Sequence, residues 1–446
     1  MFKRKIYDKI KRWKNESNGA TALLIEGARR VGKSTVAEEF AKNEYASYAL
    51  IDFSTAPREV VNLFDDMSDL NHFFTMIQFY YRVSLERRKS LIIFDEVQLC
   101  PKARQAIKTL VKDGRYDYIE TGSLISIKKN VAGILIPSEE RKIQMNPMDY
   151  EEFLWALGDF STYSNLKLLF DEGKPFGDVL NRQLMRNFRL YMLVGGMPQA
   201  VQTYLETNNL EKVDTVKRDI INLYEDDFRK IDPTGRLAVM FEAIPSQLNK
   251  NSKGFLVKSV LDSYKTKEET FLSLIAELKD SKTVNLAYHA NNPEIDLSAY
   301  KDLNRYKIYV ADTGLFVTLQ FKNKDFTENL IYEKLLNDKL PANLGYLYEN
   351  AVAQALTSQG VDLFYHTFEN KVQKRNFEVD FIFAKKGKLC PIEVKSSDYR
   401  KHVSLDEFYQ KYSDRVLNRY IIHTKDISHD RDILCLPVYM TPFIAY

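Results

Sequence analysis

A single stretch limits what this chain can fold into. Leu23-Leu24-Ile25-Glu26 is an apolar run that feeds a glycine turn, and from Gly27 to Ser34 the residues fit the phosphate-binding pattern G-x-x-x-x-G-K-[ST]. In such a loop the phosphates are held by backbone N–H groups, so Gly27 and Gly32 must be small, and the positive end of the following helix adds to the attraction. Gly27, Ala28, Arg29, Arg30, Val31, Gly32, Lys33, Ser34 and Thr35 are therefore the expected cradle for a nucleotide's phosphates. Lys33 is expected to reach the β- and γ-phosphates, and the Ser34 hydroxyl to ligate Mg²⁺. An ordinary glycine-containing turn can match the pattern, but this one sits between an expected strand and an expected helix.

Further along, Tyr48-Ala49-Leu50-Ile51-Asp52-Phe53 reads as a buried strand, and residues 69–88 have helical periodicity. Ser90-Leu91-Ile92-Ile93-Phe94-Asp95-Glu96 then places two acids behind an apolar run. That is the pattern of a central parallel strand whose carboxylates emerge at its C-terminal edge, where ligands sit in open α/β sheets. Asp95 is expected in the Mg²⁺ shell, and Glu96 is expected to polarise the attacking water as general base. Tyr116-Asp117-Tyr118-Ile119-Glu120 reads as the next strand and ends in Thr121-Gly122-Ser123. Ser123 is the first candidate to stand beside the γ-phosphate and the water, and Thr121 the second. The alternation of strands and helices predicts a doubly wound α/β core with a parallel sheet.

At 446 residues the chain is too long for one ordinary core, so two or three domains are expected. Its net charge of +3 is nearly balanced, so any nucleic-acid surface has to be a local patch. Cys100, Cys390 and Cys435 are odd in number and far apart, which fits a reducing cytoplasm and argues against a disulfide frame or a zinc ribbon. Phe2, Ile6, Ile10 and Trp13 recur at helical spacing, predicting an amphipathic helix docked on the first domain rather than on a membrane. No apolar run approaches the length needed to span a bilayer.

Residues 150–231 are mostly helical in pattern, interrupted by Gly195-Gly196-Met197-Pro198, which reads as a helix–helix turn packed close to another element. Residues 233–315 run helix, helix, strand, strand. Lys265, Lys267, Lys279 and Lys282 there face Glu268, Glu269, Glu277 and Asp280, and that mixed charge slightly favours a spacer over a DNA-reading helix. In the last part, Asp380 lies on one expected strand and Glu393-Val394-Lys395 on the next, separated by Lys385-Lys386-Gly387-Lys388. Glu393 and Lys395, two apart, share a face. Two such acids can hold Mg²⁺ while the lysine orients water at a phosphodiester, with Glu349 completing the cluster. Residues 371–401 hold nine Lys and Arg against four Asp and Glu, a patch suited to a DNA backbone. Salt-bridged acids and lysines on paired strands are also common in a chain this rich in charge.

Gly27–Ser34, Phe94-Asp95-Glu96-Val97-Gln98 and Thr121-Gly122-Ser123, together with Asn146-Pro147-Met148-Asp149-Tyr150-Glu151-Glu152-Phe153 and Gly195-Gly196-Met197-Pro198, resemble the prokaryotic AAA-superfamily ATPases that carry a C-terminal domain of unknown function. The Asp380…Glu393-x-Lys395 arrangement resembles the restriction-endonuclease-like fold, and the middle helices and hairpin resemble a winged helix. The resemblance implies a P-loop core over 1–160, a helical extension over 161–232, a winged-helix-like module over 233–320, a linker over 321–343 and an endonuclease-like α/β domain over 344–446. It also implies an ATP- and Mg²⁺-dependent switch for a DNA-binding module; an ATP-dependent nuclease and a protein-binding switch without nucleic acid stay open. One position departs from the family pattern: Glu140, where a glycine is usual, precedes Arg141. Arg104, Arg115 and Arg141 are unranked candidates for an arginine shared between subunits.

Overall fold

The computed structural model describes residues 1–123, 135–249, 268–322, 329–337, 345–370, 375–396 and 400–445. They divide into two compact units, Met1–Asn146 with Asp280–Lys282, and Pro147–Lys279 with Thr283–Tyr446. Among the described residues no helix is long and apolar enough to cross a membrane.

The first unit is built on five strands, β1 (Ala22–Glu26), β2 (Ser47–Asp52), β3 (Ser90–Asp95), β4 (Asp117–Gly122) and β5 (Glu140–Gln144). All pair in parallel in the order β2-β3-β4-β1-β5. Every residue of β3 and β4 is buried, as expected of central strands covered on both faces. Leu24, Ile51, Ile92, Phe94 and Tyr118 meet Phe73, Ile107 and Leu110 from the flanking helices in one apolar core. The helix Pro101–Asp113 opens on proline, which fits the first turn because its missing N–H has no partner there, and closes on Gly114 in a left-handed conformation. The expected helix over 69–88 is shorter than its periodicity suggests. Asp69 caps Leu70–Tyr81 by accepting from the N–H groups of Asn71 and His72, and Arg82 at φ +50° ends it. The N-terminal helix, Ile6–Ser17, docks as expected: Ile6, Ile10 and Trp13 are buried, and Arg4 Nη1 donates to the Val31 carbonyl at 2.9 Å.

The second unit carries an eight-stranded mixed sheet, β6 (Val284–Ala290), β7 (Lys301–Val310), β8 (Phe364–Asn370), β9 (Arg375–Lys385), β10 (Lys388–Val394), β11 (Arg419–His423), β12 (Ser428–Asp430) and β13 (Ile433–Pro437), ordered β12-β13-β11-β10-β9-β8-β6-β7. The β9–β10 hairpin turns on Lys386 and Gly387, both at positive φ, a two-residue turn whose twist matches the strands. The β6–β7 hairpin is not closed off as a small module ending before a linker. Its β6 edge pairs in parallel with β8, Tyr288 beside Phe364 and His289 beside Tyr365, so the hairpin extends the C-terminal sheet. A strand with Leu286 and Ala287 buried needs a partner on its free edge, and β8 supplies one. Residues 250–267, with Lys265 and Lys267 of the expected reading helix, lie outside the described residues, as do 323–328 and 338–344 of the expected linker.

The Gly195-Gly196-Met197-Pro198 turn joins the helices Asp178–Val194 and Pro198–Thr207, and its glycines are set by close packing. A Cβ on Gly196 would lie 2.1 Å from the Met148 carbonyl oxygen, and one on Gly314 would lie 2.5 Å from the Gly195 Cα. The Gly196 N–H donates to Asp312 Oδ2 at 2.5 Å, while Asp312 Oδ1 accepts from the Leu315 N–H at 2.9 Å. Buried Lys217 donates to the carbonyls of Leu193 at 2.6 Å and Gly314 at 3.2 Å; burial lowers its pKa to about 8 against the pull of Asp214 and Asp312. Gly196→Ala is therefore expected to cost the second unit about 1–3 kcal/mol through overpacking. Urea unfolding reads this directly, and an unchanged midpoint would contradict the packing account.

Candidate functional site

The strands β1, β3 and β4 end side by side, and the cluster of motif residues forms at that edge. The register sets Ile25 beside Thr121 and Phe94 beside Glu120. Leaving β1, the chain turns at Gly27, where a Cβ would lie 2.3 Å from the Met145 carbonyl oxygen, and enters the helix Lys33–Glu44 through Gly32 at φ +96°. Arg30 also takes a left-handed conformation, φ +69°, which bends the loop back over the helix terminus. Lys33 is 7 % exposed, and its ammonium donates to the carbonyls of Gly27 at 3.1 Å and Ala28 at 2.9 Å. Burial lowers its pKa to about 8, with Glu96 and Asp95 opposing the shift and Arg29 adding to it.

Ser34 Oγ donates to Asp95 Oδ1 at 2.7 Å, and the Thr121 hydroxyl donates to the same oxygen. The structure thus brings Thr121 against Asp95, and Ser123 is half-buried just past the end of β4. Glu96 leaves the strand at φ +53°, and its Oε2 accepts from Gln98 Nε2. A hydroxyl and a carboxylate in contact are hard oxygen donors of the kind Mg²⁺ takes when phosphates supply its other ligands. Among the described residues no group of three or more His, Cys, Asp or Glu could hold a metal ion, so an all-protein cage is not what this edge offers.

Residues 20–154 match a family model described as an AAA domain. Over this segment the chain is similar to AAA-type ATPase domains. Beyond that match, residues 185–325 match a domain of unknown function (DUF8612), and residues 344–440 match another (DUF4143). A search of curated proteins gave no match. Solved structures similar to the chain include the Walker-type ATPase PABY2304 of Pyrococcus abyssi, 17% identical over 72% of this chain and 96% of that one, with a TM-score of 0.43. They also include Cdc6p from Pyrobaculum aerophilum, 13% identical over 75% of this chain and 94% of that one, with a TM-score of 0.24.

The three arginine candidates of the first unit are all engaged. Arg104 is buried, and its Nε and Nη2 reach the two carboxylate oxygens of Glu140 at 2.8 Å each. Glu140, the departure from the family pattern, is thus the partner of a buried guanidinium. Arg115 pairs with Asp113 at 2.8 Å and lies over the Phe74 ring, and half-exposed Arg141 pairs with Glu16 at 3.0 Å.

In the second unit, Asp380, Glu393, Lys395 and Glu349 gather as their order suggests, with partners that spacing did not reveal. Lys395 Nζ lies 2.6 Å from Glu393 Oε1, and Asp380 Oδ2 accepts from the Val394 N–H at 2.8 Å. Lys307 of β7 enters the cluster at 2.9 Å from Glu349 and 2.6 Å from Glu378, and the Tyr309 hydroxyl donates to Glu349 at 2.5 Å. Burial opposes charge on Lys307, but Glu349, Tyr309, Glu378 and Asp380 together hold its pKa well above the usual lysine range. Burial, with Glu349 and against Lys307, pushes the Asp380 carboxyl well up. Glu393 Oε2 is buried without a hydrogen-bond partner. The missed signal was a lysine set in the apolar run Tyr306-Lys307-Ile308-Tyr309-Val310, a charge that burial permits only against acids.

Proposed function

We propose that this chain is a Mg²⁺-dependent ATP hydrolase whose nucleotide state controls a DNA-directed second unit. The observation that carries the first half is the Ser34–Asp95–Thr121 contact at the mouth of the loop. Lys33 exchanges its two loop carbonyls for phosphate oxygens, and the loop N–H groups hold the rest of the polyphosphate. Ser34 and Asp95 would hold Mg²⁺, which would neutralise charge on the β- and γ-phosphates. Glu96, released from Gln98, takes the proton of the attacking water, and Thr121 or Ser123 holds that water's other side. Ordering of the loop by nucleotide, and its release on hydrolysis, is the signal passed on.

The DNA reading is supported by the basic stretch 371–401, of which 371–374 and 397–399 lie outside the described residues. A second reading, an ATP-dependent nuclease at Asp380, Glu393 and Lys395, is favoured by the Glu393 oxygen that has no hydrogen-bond partner among the described residues, but Lys307 already pairs with Glu349 and Glu378 beside it. Steady-state ATP turnover with and without DNA tests the coupling: DNA is expected to raise turnover severalfold, more at low salt than at high. DNA that neither binds at low salt nor changes turnover would overturn this reading in favour of a protein-binding switch.

A further inference from the structure

The helix Asp178–Val194 presents one face to a cleft of about 570 Å³ in the second unit, and that face is basic. Arg182, Arg186 and Arg189 follow one another at helical spacing along the cleft, so their attachment points span about 10 Å. Lys425 stands across from them on the loop between β11 and β12. Asp178 is the single acid among the described lining residues, which carry a clear positive excess. Met185 and Leu336 give it an apolar part.

The two walls are tied together rather than left loose. Asp426, next to Lys425, accepts from the N–H groups of Phe176 at 2.9 Å and Gly177 at 2.7 Å, immediately before the helix begins. Buried Asn181 donates to the Thr424 carbonyl at 3.1 Å and accepts from the Tyr439 hydroxyl at 2.7 Å. Arg189 Nε donates to the Tyr348 hydroxyl at 3.0 Å, which fixes the far end of the row. Arg182, Arg186 and Lys425 are exposed and Arg189 is half-buried, so several cations stand close together around one concave site, and a polyanion offsets their mutual repulsion. The volume is that of a small-molecule site, and its concavity does not suit a duplex.

We propose that this cleft binds a small polyphosphate-bearing molecule of nucleotide size, with arginines paired to successive phosphoryl groups and Met185 and Leu336 against its less polar part. Arginine suits this because its planar fork meets phosphate oxygens two at a time. The site is separate from the nucleotide loop of the first unit and does not depend on the DNA reading of the second.

The test uses the full chain carrying Lys33→Ala, so that the loop of the first unit contributes no nucleotide binding. Sodium tripolyphosphate and ADP are titrated calorimetrically in separate runs. Tripolyphosphate is expected to bind, and tighter binding of ADP would identify a nucleotide rather than an inorganic polyanion as the natural class. Arg186→Glu combined with Lys425→Glu is expected to weaken either ligand by at least about tenfold, as loss of charge-assisted bonds implies. Lys112→Glu, an exposed charge reversal in the first unit, is expected to change nothing. Circular dichroism on each variant confirms that the fold is kept. Three results would overturn the proposal: no binding of either probe at millimolar concentration, binding unchanged by the double reversal, or a short single-stranded oligonucleotide that binds more tightly than either and is lost with the same reversal.

Discussion

Glu96→Gln is expected to bind ATP as the native protein does and to lose turnover by about a hundredfold or more, the scale on which a positioned general base acts. Glu96 follows Asp95 at the edge of β3, where φ +53° turns it away from the strand while its Oε2 stays held by Gln98. Glutamine keeps the shape and the Gln98 contact but cannot take a proton. The proposed phosphate contacts lie elsewhere, on the loop N–H groups and Lys33, so affinity is expected to be untouched. Equilibrium binding of a fluorescent ATP analogue and release of inorganic phosphate measure the two quantities separately. Turnover retained by Glu96→Gln would remove the residue from the mechanism.

Arg104→Ala is expected to destabilise the first unit by about 3–5 kcal/mol, the scale for removing one partner of a buried ion pair. Arg104 and Glu140 have side chains only 2% and 1% exposed. Glu120 lies beside them, fully buried, and burial followed by Glu140 pushes its carboxyl well above the usual range, with Arg104 opposing. Without the guanidinium the two carboxyl groups face each other across the sheet with only Lys142, 3.7 Å from Glu140, to help. Replacing both partners, Arg104→Met with Glu140→Leu, is expected to recover much of the loss, because no buried charge is then left alone. Urea unfolding of the full chain measures both; a loss below about 1 kcal/mol for the single variant would show that the pair is not an uncompensated burial.

The parallel core was legible because its signals are local. Strands β1 and β3 are continuous apolar runs, and the turn after β1 needs small residues at Gly27 and Gly32 for reasons visible in the chain itself. Ser34 and Asp95, both read from local signals, lie in hydrogen-bond contact. Spacing alone does not rank Thr121 and Ser123, which follow the same apolar run; the register of β4 on β3, Phe94 beside Glu120, brings Thr121 to Asp95. The second unit was read less well because its organisation is non-local. Nothing near β6 announces that its free edge joins β8, some seventy residues away, so the hairpin read as a module of its own. Lys307 was missed for the same reason: its partners Glu349 and Glu378 sit on other elements. The Gly195-Gly196 turn, by contrast, was read as a close approach, and the carbonyl of Met148 is what it approaches.

Phosphate release from ATP in the presence of Mg²⁺, measured on the native chain and on Lys33→Ala, tests the central claim most directly. Lys33 is the one cation that the loop holds buried within reach of its own phosphate cradle. The account predicts Mg²⁺-dependent turnover in the native protein and neither ATP binding nor turnover in the variant. Equal turnover by the two proteins would contradict it.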